Sequence, residues 1–214
     1  ERGFKNAHFI VEREFSTQPV HPGYIEPFAS TVIWGQDGHI TIWTTTQGTF
    51  SVREGTAAII GVSESMVKVV PMECGGGFGG KGPNTNPLNP ITAMLSKKSG
   101  QAVKMVMSRK ETFESTCPAP GSLIRVRMGI DETGVITAAK VYLAYQAGAF
   151  PGSPVIAGAS TCLGPYNIDN FQVDGYDVVT NTQKMQSYRA PGQPQAIFAI
   201  ETVIDELADK LGMD

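Results

Sequence analysis

Apolar positions fall into short runs along the chain, separated by turns that carry glycine, proline or asparagine. Val32, Ile33 and Trp34, then Ile40, Ile42 and Trp43, are β-branched or aromatic. They flank Gln36-Asp37-Gly38-His39, so the pair predicts a hairpin. Residues 50–60 carry Val52, Ala57, Ile59 and Ile60 and run up to Gly61, which predicts a short helix closed by a glycine cap. Residues 66–70 read as a strand stopped by Pro71, and residues 102–107 as another. Between them a glycine-rich loop (75–80) and a Pro/Asn stretch (Pro83, Asn84, Asn86, Pro87) lead into a helix over about 90–98, with Pro90 in its first turn. Residues 123–130 and 135–145 flank Asp131-Glu132-Thr133-Gly134, a second hairpin signal, and residues 171–180 form a further strand. Ile197, Ile200, Ile204, Leu207 and Leu211 recur at spacings of three and four, predicting an amphipathic helix over 194–211. Strands and helices mix without strict βα alternation. The expected class is therefore α+β, with mixed or antiparallel sheets and packed helices.

The 214 residues suit one large domain or two small α+β lobes sharing a core. The 24 glycines and 14 prolines exceed their usual combined share of about 12%. They are dispersed among apolar runs, which indicates tight turns and close approaches rather than disorder. A formal net charge of −3 argues against nucleic acid or an anionic membrane as a partner. No apolar run reaches membrane length. Cys74, Cys117 and Cys162 lack metal-ligand spacing and read as reduced thiols of a cytoplasmic protein. The ends, Glu1 and Asp214 just past a strong helix, are those expected of a piece of a longer chain.

The stretch Cys74-Gly75-Gly76-Gly77-Phe78-Gly79-Gly80-Lys81-Gly82 carries the most chemistry. Consecutive glycines let backbone N–H groups converge on an anion or a planar ligand. Gly75 to Lys81 matches a P-loop except at its last position, where Gly82 replaces the Ser or Thr that binds magnesium. Gly75-x-Gly77-x-x-Gly80 also fits a dinucleotide fingerprint. That site needs a carboxylate about twenty residues on, and residues 82–109 contain no Asp or Glu. Taken alone, the loop reads equally well as a tight turn without a ligand.

The loop, preceded by a strand, resembles the signature of the xanthine dehydrogenase/aldehyde oxidase family of molybdenum hydroxylases. Two further stretches carry the same resemblance. Thr44-Thr45-Thr46-Gln47-Gly48 is similar to a family segment whose glutamine amide hydrogen-bonds an oxygen on the metal. Tyr188-Arg189-Ala190-Pro191-Gly192-Gln193-Pro194-Gln195 is similar to the family's Arg-x-x-Gly-x-Pro-Gln element. Singly, Gln47 reads as an ordinary loop residue and Arg189 as a surface ion pair. Together the three occur in the family's order. His21-Pro22-Gly23-Tyr24-Ile25-Glu26-Pro27 resembles a segment that precedes the first motif, and structural hydrogen bonding is expected of His21 and Glu26.

The resemblance implies a fold of the molybdenum-cofactor-binding type, with residues 1–214 forming the first part of the molybdopterin-binding region. The N- and C-terminal portions of the parent subunit would lie outside it. It implies cofactor contacts from Gln47, Gly76, Gly77, Phe78, Gly79, Gly80, Arg189, Ala190 and Gly192, with Gln47 and Arg189 supporting catalysis. The cofactor implied is molybdopterin, in its cytosine dinucleotide form, holding molybdenum through the pterin dithiolene and needing no protein ligand for the metal. The implied reaction is hydroxylation of a heterocycle or aldehyde with water, electrons passing to [2Fe-2S] clusters and FAD. Those groups would sit on partner domains or subunits. The family's catalytic glutamate, in a Gly-x-Gly-Glu-like motif, has no match here, so the chain alone is expected to be inactive. Gly82 stands where purine-oxidising relatives carry a glutamate, which disfavours xanthine as substrate. The alternative from another class is a non-catalytic anion- or nucleotide-binding module built on the glycine loop.

Overall fold

The computed structural model describes residues 1–82 and 86–213. Pro83 and Asn84 of the Pro/Asn stretch lie outside these. Two compact units divide the chain: Glu1–Val20 with Pro118–Asp214, and His21–Cys117.

The first unit is a four-stranded sheet in the order β1-β6-β7-β8. Its strands are β1 (Phe9–Thr17), β6 (Ser122–Ile130), β7 (Ile136–Gly148) and β8 (Phe171–Val179). The hairpin of β6 and β7 closes as the sequence indicates. Gly134 takes φ +90°, and Asp131 Oδ1 accepts the N–H groups of Thr133 and Val135 at 2.8 and 3.0 Å. β8 runs parallel to β7, and the helix α4 (Val155–Thr161) lies in the connection between them. Neither β1 nor α4 is foreseen from the sequence. The terminal helix α5 (Gln193–Leu211) packs against β1 and β6. Its buried face is Ala196, Ala199, Ile200, Val203 and Leu207; of the expected stripe Ile200 and Leu207 are buried, Ile204 and Leu211 pack partly buried against the core, and Ala196, Ala199 and Val203 join them. Ala196 and Ala199 allow close approach to the sheet, and the partly buried Ile204 and Leu211 pack at the margin of the contact. Ile124, Val126, Met128, Val141, Leu143 and Tyr145 complete this core. A fully buried side chain such as Leu207 contributes roughly 1.5–3 kcal/mol.

In the second unit the order is β4-β3-β2-β5. The strands are β2 (Ala29–Trp34), β3 (Ile40–Thr44), β4 (Val67–Pro71) and β5 (Val103–Val106). β2 and β3 form the expected hairpin with Gly38 at φ +85°. β4 pairs parallel to β3 after α1 (Thr49–Ile60), whose C-cap Gly61 is left-handed. Pro71 belongs to β4, opposite Thr44, instead of stopping it. β4 is an edge strand, where a missing N–H is tolerated. α2 (Leu88–Ser99) begins two residues earlier than its proline suggests and packs on β2 and β5. The unforeseen α3 (Arg109–Ser115) starts with a capping box of Ser108 and Glu111.

Candidate functional site

The parallel strands β3 and β4 end on the same side of their sheet, and each leads into a segment singled out by sequence. After Thr44 the chain turns through Thr45 and Thr46 to Gln47, and α1 begins at once. After Pro71 it enters the glycine loop. Gln47 and the loop are strapped together in both directions. Gln47 N–H donates to the carbonyl of Lys81 at 2.8 Å. In return, Gln47 Oε1 accepts the N–H of Gly79 at 2.9 Å and that of Lys81 at 3.3 Å. With its oxygen fixed on the loop, the exposed Gln47 amide keeps its NH2 as the outward-facing group, a neutral donor that does not titrate.

Within the loop, Phe78 holds φ +50°, a left-handed value that costs a non-glycine residue roughly 1–2 kcal/mol, between left-handed Gly76 and Gly79. Gly77 is glycine because a Cβ would lie 2.6 Å from Gln47 Oε1, and Gly80 because a Cβ would lie 2.5 Å from the ring of buried Tyr24. Gly80 N–H donates to Gly77 O at 2.7 Å, so the amides of Gly79 and Gly80 are used inside the protein. Those of Gly76, Gly77 and Phe78 engage no protein acceptor among the described residues. Of the five loop positions expected to contact a ligand, 76–78 therefore present donors and 79–80 hold the shape.

Lys81 is completely buried, an unusual state for a lysine. Its Nζ pairs with Glu26 and lies over the rings of Tyr24 (5.1 Å) and Phe28 (5.7 Å). An ammonium so placed does not face a phosphate, which removes the feature a P-loop-like module would depend on. The same Glu26 Oε2 accepts the N–H of Gly75 at 2.9 Å. Partial burial pushes the Glu26 carboxyl up, but the hydrogen bonds from Lys81 and Gly75, with the Lys81 charge, outweigh it and hold the carboxyl below its ordinary value. His21 accepts the Gly23 N–H at 3.0 Å and bonds Thr116 Oγ1 at 2.8 Å. Burial, then the nearby Arg109 charge, lowers its pKa. The sequence assigns Glu26 and His21 structural hydrogen bonds without naming their partners. A signal for the partner of Glu26 is the lysine after the glycine run, which has no acidic residue for nearly thirty positions beyond it.

Arg189, Ala190 and Gly192 belong to the other unit, at the start of α5. Ala190 is left-handed at φ +55° and Gly192, the N-cap, at φ +78°. A Cβ on Gly192 would meet Pro154 O at 2.2 Å. The turn is pinned from below by buried Tyr145, whose OH donates to Gly192 O at 2.6 Å; desolvation pushes that phenol well above its ordinary pKa. Arg189 is exposed, forms no ion pair among the described residues, and borders a cavity of about 430 Å³ with Tyr188, Gln195, Phe198 and Val20.

Residues 1–214 match the family model of the molybdopterin cofactor-binding domain over their whole length. The chain belongs to this family. It is 30% identical to a probable xanthine dehydrogenase subunit of Bacillus subtilis, all of the chain covering 29% of that protein. It is equally similar, at 30%, to the nicotinate dehydrogenase large molybdopterin subunit of Eubacterium barkeri, of which it covers 51%. Quinoline 2-oxidoreductase of Pseudomonas putida 86 shares the fold at a TM-score of 0.92 and 24% identity, matching the whole chain and 28% of that structure. The chain thus spans about half or less of the relatives it matches. Its two mixed sheets carry the packed helices of the shared fold. No helix among the described residues is long and apolar enough to cross a membrane.

Proposed function

We propose that the glycine loop and Gln47 hold the pterin of a molybdenum cofactor, and that Arg189, Ala190 and Gly192 are cofactor contacts as well. The observation that carries this reading is the donor set. Three successive N–H groups, Gly76 to Phe78, engage no protein acceptor among the described residues. Gln47 is locked with its amide NH2 outward by the two N–H groups on its oxygen. Gly77 is buried and Gly76 half-buried, where N–H groups without partners are rare, and the left-handed Phe78 beside them forms the kind of concavity that binds anionic or acceptor-rich groups. Neutral donors of this kind fit the oxygen- and sulfur-rich edge of such a cofactor.

When bound, the cofactor supplies the two-electron oxidation by which water hydroxylates a heterocycle or an aldehyde. The chain's own residues bind and orient. Gly76, Gly77 and Phe78 donate from the backbone, and Gly79 and Gly80 keep the loop in register. Gln47 donates a hydrogen bond without adding charge, and Arg189 supplies a permanent positive charge beside α5. The cytosine dinucleotide form of the cofactor, and electron transfer through [2Fe-2S] clusters to FAD on partner domains or subunits, complete the proposal. So do the remainder of the large subunit and a cytoplasmic location. The catalytic base lies on that remainder, so the 214 residues alone do not turn over. Molybdenum and pterin analysis of the natural protein, purified with its partners, tests this. Near-stoichiometric metal and pterin are expected, and a matured preparation containing neither overturns the reading.

A further inference from the structure

We propose that Glu26 and Lys81 are positioning residues that shape the glycine loop before any cofactor arrives. One carboxylate ties both flanks of the loop: Glu26 Oε2 accepts the Gly75 N–H at 2.9 Å on the entering side and pairs with the Lys81 ammonium on the leaving side. Between these ties stand three positive-φ residues, Gly76, Phe78 and Gly79, of which Phe78 lacks glycine's freedom to adopt that conformation. Within the loop Gly80 N–H donates to Gly77 O at 2.7 Å, but the N–H groups of residues 76–78 meet no acceptor among the described residues, so the flanking ties add to what the loop's own bonds supply.

Burial alone would not select this arrangement. Removing an ammonium from water is costly unless a charge and further contacts compensate it. Here the compensation comes from Glu26, which keeps a third of its own side chain exposed, and from the faces of Tyr24 and Phe28. Tyr24 in turn sits under Gly80 and hydrogen-bonds Thr116 at 3.2 Å, so the pair rests on a rigid floor. Arg109 fixes the other side of that floor, donating to the carbonyls of Tyr24 (2.8 Å) and Ile25. Exposed salt bridges hold flexible side chains weakly. This one joins a fully buried lysine to a backbone N–H through a shared oxygen, a charge-assisted arrangement suited to orientation.

The inference rests on the cofactor reading only for its second arm. In the natural full-length protein, Glu26→Gln keeps the size and an acceptor for Gly75 but removes the charge, and Lys81→Met keeps the length and removes the ammonium. Hydrogen exchange of peptides covering 75–82 is expected to quicken about tenfold or more in both, the loss of one charge-assisted hydrogen bond, while peptides from β2 and α1 are unchanged. Pterin release on dialysis is expected to quicken by a similar factor. If Lys81→Met does not fold, Glu26→Gln alone decides. Unchanged exchange over 75–82 in folded Glu26→Gln, or an effect spread evenly over the whole unit, overturns the positioning role. If the wild-type protein carries no pterin, the cofactor reading fails separately, and the exchange arm still decides this one.

Discussion

Gly77→Ala isolates the contact between Gln47 and the loop. The new Cβ would lie 2.6 Å from Gln47 Oε1 and 2.9 Å from its Cδ, both nearer than real contacts allow. Gly77 has no left-handed φ, so the backbone itself accepts alanine. What gives way is the flexible end of Gln47, which must swing aside and release the N–H groups of Gly79 (2.9 Å) and Lys81 (3.3 Å). A neutral hydrogen bond contributes a net of about 0.5–1.5 kcal/mol, and the longer one less, so the loss is roughly 1–2 kcal/mol of local stability. Local opening of the loop, read by hydrogen exchange at Gly79 in the natural protein, should quicken roughly 5–30-fold. The decisive comparison is a double-mutant cycle with Gln47→Ala. Once the amide is gone, Gly77→Ala has nothing to displace, and its further effect should fall to about 0.5 kcal/mol or less. If Gly77→Ala speeds exchange equally in both backgrounds, Gln47 is not what the missing side chain makes room for.

Three other outcomes follow from the same geometry. Tyr145→Phe leaves the buried Gly192 carbonyl without its 2.6 Å donor and should cost about 1–3 kcal/mol, seen as a lower melting temperature. Ala190→Gly relieves the left-handed strain at φ +55°; that gain of roughly 1–2 kcal/mol exceeds glycine's entropic cost of about 0.5–1, so the variant should melt at the same temperature or slightly higher. Glu26 has a folded pKa below its unfolded value, so its stabilisation is complete above the ordinary carboxylate range and is lost as pH falls through the lowered value. Acid titration followed by exchange over 75–82 should show this loss in the wild type and not in Glu26→Gln.

Elements whose signal is local were legible in the sequence. The β2–β3 and β6–β7 hairpins follow from turn residues within the pattern itself, and α1 and α5 from periodicity and glycine caps. β1 was hidden because its run Phe9–Thr17 carries Glu12, Arg13 and Glu14 among few inward apolar residues, and its partner β6 lies more than a hundred positions away. α3 was readable from Ser108 and Glu111, yet its seven residues offer almost no apolar periodicity. α4 is short and contains Gly158, which a Cβ-free approach to Gly192 O requires. At the site, the residue types in the three motifs were legible and their division of labour was not. That the N–H groups of Gly79 and Gly80 are used within the protein while those of Gly76 to Phe78 meet no acceptor among the described residues depends on where Gln47 Oε1 and Gly77 O point. That Lys81 faces inward depends on Glu26, fifty-five residues before it.

In the proposed function, the N–H groups of Gly76 to Phe78 and the amide nitrogen of Gln47 bind a metal-bearing pterin. An experimental structure of the matured natural protein tests it most directly. Acceptor atoms of a pterin cofactor and its metal's ligands are expected within hydrogen-bond reach of those four donors. A pterin bound elsewhere, with these donors facing solvent or another part of the polypeptide, would contradict it.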